Sequence, residues 1–297
     1  MPIVVLLLVA IAAGALVWAL FRRYPQHTVA EEAARVGVEA GRHPRLRSLA
    51  RARLDPNVGT GLVLTAALLL AIAGGVVLGV LAYLVRASSV LVGIDDGAAK
   101  WGERHATGVS EDVLRAVTQL GNIRVVLVLC LLLVVLVTLR ERTAWVFAFA
   151  LAVVGGEELI TSVVKSLVDR TRPTFNPAAA TLGPSFPSGH SATAAAFYAA
   201  AALLLGRSSP RARRALLAGL AAGIAVAVAA SRVLLDDHWL SDVVAGLALG
   251  WAWFAVCGIA FGGRLLRFGA ALEIAEEAAA EPVPPRPRSP RRISALR

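Results

Sequence analysis

The sequence predicts an all-α integral membrane protein, with a six-span helical core preceded by one additional N-terminal transmembrane helix. Two observations predict this class. The 297 residues are 57% hydrophobic, whereas soluble domains average roughly 45–50%, and the apolar residues fall in long, nearly uncharged runs. A helix of roughly 18 or more such residues crosses a hydrocarbon layer about 30 Å thick, where the backbone must satisfy its own hydrogen bonds. Seven runs qualify, at 2–20, 61–85, 123–139, 144–164, 190–206, 215–235 and 240–262.

The first run is interpreted as a retained membrane anchor and not as a cleaved secretory signal. No basic segment precedes it, and Arg22 and Arg23 follow it directly. The chain then divides into an anchor (1–21), an Arg-rich cytoplasmic linker (22–57), a six-span domain (58–265) and a Pro/Arg-rich cytoplasmic tail (266–297). The tail has too few apolar residues to build a core, and we expect it to be disordered.

The net charge of +10 follows the expected membrane topology, so nucleic acid is not expected as a partner. Of the 30 basic residues, 21 lie in segments 21–57, 140–142, 207–214 and 264–297. These segments share one side of the membrane if the seven spans alternate in direction. Because cytoplasmic loops are enriched in Lys and Arg, we predict a multi-pass protein of the plasma membrane with its N-terminus outside and its C-terminus in the cytoplasm.

The long loop at 87–122 is expected to lie on the outer membrane face. Val90–His105 is predicted to form an interfacial helix. Ser110, followed by Glu111 and Asp112, is predicted to cap the start of a second helix, where acidic residues favour the positive end of the helix dipole. Gly121-Asn122 is predicted to end that helix.

Three polar segments adjoin the predicted outer ends of the last four spans. A lone charge at a span end is usually a snorkelling anchor, but charged groups gathered at one depth of a membrane are costly and typically functional. By the topology above, all three segments meet on one side of the bundle. They are Lys165 to Arg172-Pro173, then Pro187-Ser188-Gly189-His190, then Ser231-Arg232 followed by His238 and Asp242.

Cations clustered at one depth repel one another unless an anion lies between them. Lys165, Arg172 and Arg232 suit a phosphate group, to which arginine offers two parallel donors. The Ser188 hydroxyl and the Gly189 N–H add neutral donors at the start of a helix, which itself favours an anion. The three segments therefore predict a phosphate-binding site.

Two histidines are predicted to carry out the chemistry at this site. His238 and Asp242 are four residues apart and share a helix face, so the carboxylate can orient the imidazole as a nucleophile toward phosphorus. His190 can protonate the leaving alkoxide and later activate the water that hydrolyses the phosphohistidine. The cations supply the charge that a metal ion supplies elsewhere, so no metal or cofactor is expected.

The three segments resemble the signature of the type 2 phosphatidic acid phosphatase superfamily, Lys-x6-Arg-Pro, Pro-Ser-Gly-His and Ser-Arg-x5-His-x3-Asp. The match is without gaps, and the resemblance covers roughly 60–263. It implies a six-helix core with an extracytoplasmic site, and Thr118-Gln-Leu-Gly121 is similar to a weaker family feature. It further implies phosphate binding by Lys165, Arg172, Ser188, Gly189 and Arg232, with His190 as acid–base residue, His238 as nucleophile and Asp242 as its partner.

We therefore expect metal-independent hydrolysis of a lipid phosphate monoester or lipid pyrophosphate, such as phosphatidic acid, phosphatidylglycerol phosphate or polyprenyl pyrophosphate. Its partners are expected to be this substrate and membrane lipids. The alternatives are a lipid phosphotransferase, a catalytically silent lipid-binding or transport relative, and a vanadate-dependent haloperoxidase, whose known members are soluble. The sequence leaves the oligomeric state and the identity of the lipid open.

Three local features remain open at this point. Arg170 is either a second phosphate contact or an interfacial anchor. Glu157 and Glu158 lie inside the fourth span, where an acid either pairs with a buried arginine or lines the path of the lipid. Cys130 and Cys257 lie within spans and are expected to be unpaired core residues.

Overall fold

The computed structural model describes residues 1–23, 59–141, 143–173, 181, 183–207 and 209–261. Within these ranges the chain forms nine α-helices and no β-strand. Seven of the helices are long and apolar enough to cross a membrane, which confirms the predicted all-α membrane class with one helix added to a six-span core. The helices are α1 Pro2–Arg23, α2 Gly59–Ala87, α3 Ser89–His105, α4 Val109–Gln119, α5 Ile123–Glu141, α6 Trp145–Val168, α7 Gly189–Gly206, α8 Arg211–Leu234 and α9 Leu240–Ala260.

Contacts between helix termini show that successive long helices alternate in direction. Arg86, at the C-terminus of α2, donates to the carbonyls of Leu167 and Val168 at the C-terminus of α6 (2.9 and 2.8 Å). The Ser188 N–H, which precedes α7, donates to the Asp242 carbonyl in the first turn of α9 (3.0 Å). The C-termini of α2, α6 and α8 and the N-termini of α5, α7 and α9 therefore lie at one end of the bundle, here termed the site face.

Helix α7 lies at the centre of the core and contacts α5, α6, α8 and α9. Its alanine-rich sequence leaves little side-chain bulk, so neighbouring backbones approach closely. A Cβ atom on Gly246 of α9 would lie 2.5 Å from the Ser188 carbonyl oxygen, which only glycine avoids. This close approach places the first turns of α7 and α9 side by side at the site face.

The opposite half of the bundle is held by an apolar cluster between α5, α6, α7 and α9. Phe149 and Val153 of α6 are fully buried there, and Phe197 packs against them. Cys257 belongs to this cluster and Cys130 packs against it. Both cysteines are free thiols, which agrees with their interpretation as core residues.

The additional helix α1 packs directly against α8. Gly14 and Gly219 face each other so closely that a Cβ on Gly14 would lie 2.8 Å from the Gly219 carbonyl oxygen. Arg211, at the start of α8, donates to the Phe21 carbonyl near the end of α1 (3.2 and 3.0 Å), whereas Leu6 packs near Leu234 at the far end of α8. The N-terminus therefore lies at the site face.

The two helices between α2 and α5 match the predicted ones except at one cap. Ser110 is not the N-cap of α4, because that position is Gly108. Ser110 lies in the first turn instead, where its hydroxyl accepts from the Thr107 N–H (3.0 Å) and donates to the Thr107 carbonyl (2.8 Å). Most of the proposed linker (22–57) and all of the tail (266–297) lie outside the described residues, and the proposed domain boundaries stay a prediction.

Candidate active site

A cavity of about 260 Å³ opens at the site face between α5, α6, α7 and α8. It brings together residues from all three polar segments, which the sequence separates by up to 73 positions, from Lys165 to His238. Of the eight predicted site residues, Ser188 and Asp242 do not line the cavity. The six that do are Lys165, Arg172, Gly189, His190, Arg232 and His238.

Lys165, Arg172 and Arg232 line the cavity and are here termed the cationic wall. Their side chains are held mainly by neutral oxygens. Arg172 donates to the carbonyls of Gly183 (2.9 Å) and Asp237 (2.7 Å), and the Lys165 amine donates to the Pro184 carbonyl (3.4 Å). Arg232 pairs with the Asp237 carboxylate at 2.8 Å. A carbonyl orients a guanidinium or an amine without cancelling its charge, so the wall keeps a strong positive field.

His238 is 2% exposed and lies against this wall. Its Nε2 is 3.1 Å from Arg172 Nη1. Arginine can only donate, so we assign Nε2 as the acceptor and place the proton on Nδ1. Burial, followed by the charges of Arg172, Arg232 and Lys165, holds the His238 pKa well below its ordinary value. The ring is therefore neutral, with its lone pair on the side of the cations.

The Nδ1 edge of the His238 ring is directed toward Asp242. Nδ1 is 3.5 Å from Asp242 Oδ2, which is longer than a normal hydrogen bond, and Nδ1 has no hydrogen-bond partner in the described part of the chain. Asp242 is itself fully buried. The carboxylate is thus placed to stabilise positive charge on the ring without yet bonding to it.

Asp242 belongs to a buried ion network behind His238 that the sequence did not reveal. Arg170 donates to Asp242 Oδ1 and to Asp95 Oδ2, each at 2.8 Å. Asp95, from helix α3, also accepts the Ser241 N–H (2.8 Å) and the Ser241 hydroxyl (2.6 Å). Arg170 stacks over the Trp239 ring at 5.2 Å. It is therefore neither of the two things expected of it, a phosphate contact or an interfacial anchor, but the link between two buried carboxylates.

Ser188 also departs from its predicted position. It is fully buried and does not line the cavity, and its hydroxyl accepts from the Ser191 hydroxyl (2.9 Å). Gly189, the first residue of α7, lines the cavity instead. The donors that this segment presents to an anion are therefore the N-terminal N–H groups of α7, as at other helix N-termini.

The segment Thr118-Gln-Leu-Gly121 contacts the site at both of its ends. Thr118 accepts a hydrogen bond from Arg232 (3.2 Å). Gly121 lines the cavity, and a Cβ atom there would lie 2.6 Å from the His190 carbonyl oxygen. Glycine at this position therefore allows α4 to reach α7 and helps to set the position of His190.

The two acids of α6 have separate environments. Glu157 is fully buried and accepts hydrogen bonds from the hydroxyls of Thr161 (2.7 Å) and Thr193 (2.9 Å), so it does not pair with an arginine. Glu158 is exposed and lines the cavity. Over the described ranges no three His, Cys, Asp or Glu side chains gather as a metal site would require.

Comparison with known proteins places this arrangement in a family. The sequence model of the PAP2 superfamily matches residues 143–264. Phosphatidylglycerophosphatase B of Bacillus subtilis is 33% identical over 141 residues, covering 47% of this chain and 69% of the relative. Lipid A 1-phosphatase of Rhizobium etli is 35% identical over 136 residues, covering 40% of this chain and 54% of the relative. Decaprenylphosphoryl-5-phosphoribose phosphatase of Mycobacterium tuberculosis is 35% identical over 131 residues, covering 42% and 66%.

A solved structure agrees with these sequence relatives. The fold is similar to the crystal structure of the first transmembrane PAP2 type phosphatidylglycerolphosphate phosphatase from Bacillus subtilis, with a TM-score of 0.61 and 26% sequence identity. The similarity covers 65% of this chain and 96% of that one. The three polar segments, the helical fold and these relatives together show that the chain belongs to the PAP2 superfamily.

Proposed function

We propose that this chain is a membrane phosphatase that hydrolyses a lipid phosphate monoester or a lipid pyrophosphate, without a metal ion, through a phosphohistidine on His238. The observation that carries the proposal is the neutral His238 ring, with its lone pair turned toward the cationic wall. The relatives support the chemistry, because the similar proteins above are named as phosphatases of phosphatidylglycerophosphate, lipid A and decaprenylphosphoryl-5-phosphoribose.

In the first step the substrate phosphate takes over the donors of Lys165, Arg172 and Arg232. Arg172 then releases His238 Nε2, whose lone pair attacks phosphorus while the bond from phosphorus to the leaving oxygen breaks. His190 gives its proton to that oxygen, and the dianionic phosphate beside it favours its protonated form. Asp242 stabilises the positive charge that develops on the ring.

In the second step water attacks the phosphoryl group and the N–P bond breaks. His190, now neutral, takes a proton from the water, and inorganic phosphate leaves the wall. In both steps the three cations stabilise negative charge on the equatorial oxygens. Contacts with carbonyls orient Lys165 and Arg172 beforehand, and the Asp237 carboxylate and the Thr118 hydroxyl orient Arg232, so little reorganisation is needed when the charge develops.

We further propose that the site face is extracytoplasmic and that the membrane is the plasma membrane. Helix ends at the opposite face carry Arg22 and Arg23 of α1, Arg140 of α5 and Arg211 of α8. An excess of arginine is typical of cytoplasmic loops. A cysteine accessibility assay in intact cells tests this orientation, with single cysteines placed near Met1 and near Arg140 in a background without Cys130 and Cys257. We expect an impermeant reagent to label only the first.

The chemistry is tested by release of inorganic phosphate from lipid phosphates by the purified protein. We expect His238→Ala and His190→Ala each to abolish turnover while the protein still inserts into the membrane, because one removes the nucleophile and the other the acid. We also expect wild-type activity to survive EDTA. Full activity of either variant would contradict the proposed mechanism, as would activity that only a divalent ion restores.

A further inference from the structure

Glu157 is a fully buried acid inside a membrane-spanning helix, and the mechanism above does not use it. It lies eleven residues before Val168, the last residue of α6, or roughly 16 Å along the helix axis from the site face. It forms no ion pair with the part of the chain that the structure describes. An acid in such a position is costly and is typically functional.

Both oxygens of the Glu157 carboxyl group contact threonine hydroxyls. Oε1 lies 2.7 Å from Thr161 Oγ1 on the same helix, and Oε2 lies 2.9 Å from Thr193 Oγ1 on α7. Both threonines also line the cavity, so their hydroxyls join the buried acid to the space that receives the phosphate. A hydroxyl group both donates and accepts. The hydroxyls therefore stabilise the carboxylate, and the same 2.9 Å distance allows the protonated acid to donate to Thr193.

Thr193 also connects Glu157 to the proposed general acid, His190. It follows His190 by three residues on α7, and side chains at this spacing share a helix face. A Cβ atom on Gly189 would lie 3.7 Å from Thr161 Cγ2, so the antiparallel helices place Glu157 about one turn deeper than His190. His190 and Thr193 both line the cavity, where one water molecule can bridge the imidazole and the hydroxyl.

The surroundings of Glu157 favour its protonated form at rest. Two charged groups act on it, Glu158 and Lys165 of its own helix, and their effects are opposite in sign. Helix α7 faces it with the uncharged Thr193 and, one turn nearer the site face, the general acid. Helix α9 places the uncharged Trp253 beside this turn, and α5 packs apolar side chains against α6. Two hydroxyls alone do not repay the burial of a carboxylate, so the carboxyl group keeps its proton.

We propose that Glu157 holds the proton that His190 gives to the leaving oxygen, and that Thr193 passes this proton between them. The inference rests on the proposed phosphatase function and adds a residue to it. Glu157 acts through Thr193 and touches no atom of the substrate, so it is a positioning residue for the proton.

The transfer takes place when the phosphate dianion binds beside His190. The O–H bond of the Glu157 carboxyl group breaks and its proton moves to Thr193 Oγ1. The original hydroxyl proton of Thr193 moves to the bridging water, and a proton of that water moves to the His190 ring. The products are a Glu157 carboxylate and a protonated His190, with the threonine and the water unchanged. After water has hydrolysed the phosphohistidine, His190 returns the proton by the same route.

The test compares two lipids whose leaving groups differ in their need for a proton. An alkyl phosphate releases an alkoxide that must be protonated, whereas a nitrophenyl phosphate with the same alkyl chain releases a stable phenolate. Glu157→Gln keeps the size of the side chain and its contacts with both threonines but has no acidic proton. We expect kcat/KM in mixed micelles to fall by about 10²-fold for the alkyl phosphate, the size of a general-acid contribution, and by less than about threefold for the nitrophenyl phosphate.

Thr193 offers a matched pair of variants, and Glu158 offers a control. Thr193→Val keeps the shape without the hydroxyl and should lose activity selectively toward the alkyl phosphate. Thr193→Ser restores the hydroxyl and should recover to within about threefold of wild type. Glu158→Gln makes the same chemical change at the adjacent acid, which also lines the cavity, and should leave the ratio of the two kcat/KM values unchanged.

The pH profile supplies a readout that a purely structural role does not move. In Glu157→Gln the His190 ring takes its proton from solvent, so its protonated fraction falls as pH rises. The decline of kcat/KM for the alkyl phosphate should therefore begin at a lower pH in this variant than in wild type, and acidification should restore activity. The profile for the nitrophenyl phosphate should be the same in both proteins.

Three results decide the matter, each on protein that melts as wild type does. Equal losses with both lipids, in Glu157→Gln or in Thr193→Val, would assign these residues a structural role and overturn the proposal while the phosphatase function stands. Full activity of Glu157→Gln toward the alkyl phosphate would overturn it as well. If wild-type protein releases phosphate from neither lipid nor from any lipid phosphate named above, the proposed function itself is contradicted.

Discussion

Arg170 and Arg172 are two residues apart, yet they lie on opposite sides of His238. Arg172 faces the cavity and donates to backbone carbonyls and to His238. Arg170 lies behind Asp242 and is shared between two buried carboxylates, Asp95 and Asp242. The cavity wall therefore keeps a net positive charge, whereas the network behind it combines one guanidinium with two carboxylates and is net negative. We therefore expect Arg172 to serve phosphate binding and Arg170 to serve positioning, because their counter-charges differ.

Substitution of Arg172, in the cationic wall, is expected to give the largest loss of activity. Arg172→Ala removes a bidentate donor to the phosphate and one of the charges that stabilise the transition state, so kcat/KM should fall by about 10³-fold or more. Vanadate or phosphate inhibition of the wild-type protein provides the binding measurement, and the variant should lose it. Because the lost contacts are to carbonyls at the cavity, its melting temperature should change much less than its activity.

Substitution of Arg170, in the buried network, is expected to lower stability more than phosphate binding. Arg170→Ala leaves Asp95 and Asp242 buried without their cationic partner, and breaking a buried ion pair in this way costs about 3–5 kcal/mol. The variant should melt well below wild type in detergent. Arg170→Lys should recover little, because an ammonium does not reproduce the two contacts that the guanidinium makes to separate carboxylates. A variant that melts like wild type but loses phosphate binding would mean that Arg170 belongs with the wall.

Asp95→Asn is a milder change in the same network. The amide keeps the shape but removes one of the two negative charges that Arg170 contacts. Arg170 then bonds more strongly to Asp242, which should weaken the stabilisation of the His238 ring and lower kcat by about tenfold with little change in KM. Asp96→Asn on the same helix is the control, since Asp96 makes no contact with this network. An equal loss in both variants would point to a general effect on α3.

The pH dependence of the melting temperature reports the effect of the cationic wall on His238. The His238 pKa lies well below its ordinary value in the folded protein, so the unfolded chain binds the proton more tightly. The resulting stability is fully present above about pH 6.5, the ordinary histidine value, and is lost as pH falls from there toward the folded pKa. Arg172→Ala removes one cause of the low pKa and should flatten this part of the melting-temperature profile between about pH 6.5 and 5.

The smallest effect is expected at the edge of the wall. Thr118→Val removes the hydroxyl that accepts from Arg232 (3.2 Å) but leaves the ion pair of Arg232 with Asp237. One neutral acceptor is worth about 0.5–1.5 kcal/mol, so KM should rise by about two- to tenfold with kcat nearly constant. A loss as large as that of Arg172→Ala would show that the hydrogen bond to Thr118, not the ion pair with Asp237, sets the position of Arg232.

The sequence was most informative where the physical signal is long or repeated. Seven apolar runs correctly indicated seven long helices, since a span requires both length and the absence of charge. Six of the eight predicted site residues line one cavity. The alternation of the spans, read from the positions of the basic loops, correctly brought these residues to a single end of the bundle.

The features that the sequence did not predict depend on contacts between residues that are distant along the chain. Asp95 lies in an amphipathic helix among other acids, and nothing in the sequence indicated that it reaches Arg170. The sequence likewise gave no sign that Ser188 turns into the core while the next residue faces the cavity, because that depends on how closely Gly246 lets α9 approach. Ser110 was assigned as a cap from its residue type, but the helix begins one residue before it.

The central claim is that His238 itself carries the phosphoryl group. It is tested most directly by quenching the purified protein during turnover of a ³²P-labelled lipid phosphate and mapping the labelled residue by mass spectrometry. The account predicts an acid-labile, base-stable label on His238 that disappears in His238→Ala and does not depend on a divalent ion. Turnover with no trapped label, or a label on any other residue, would contradict it.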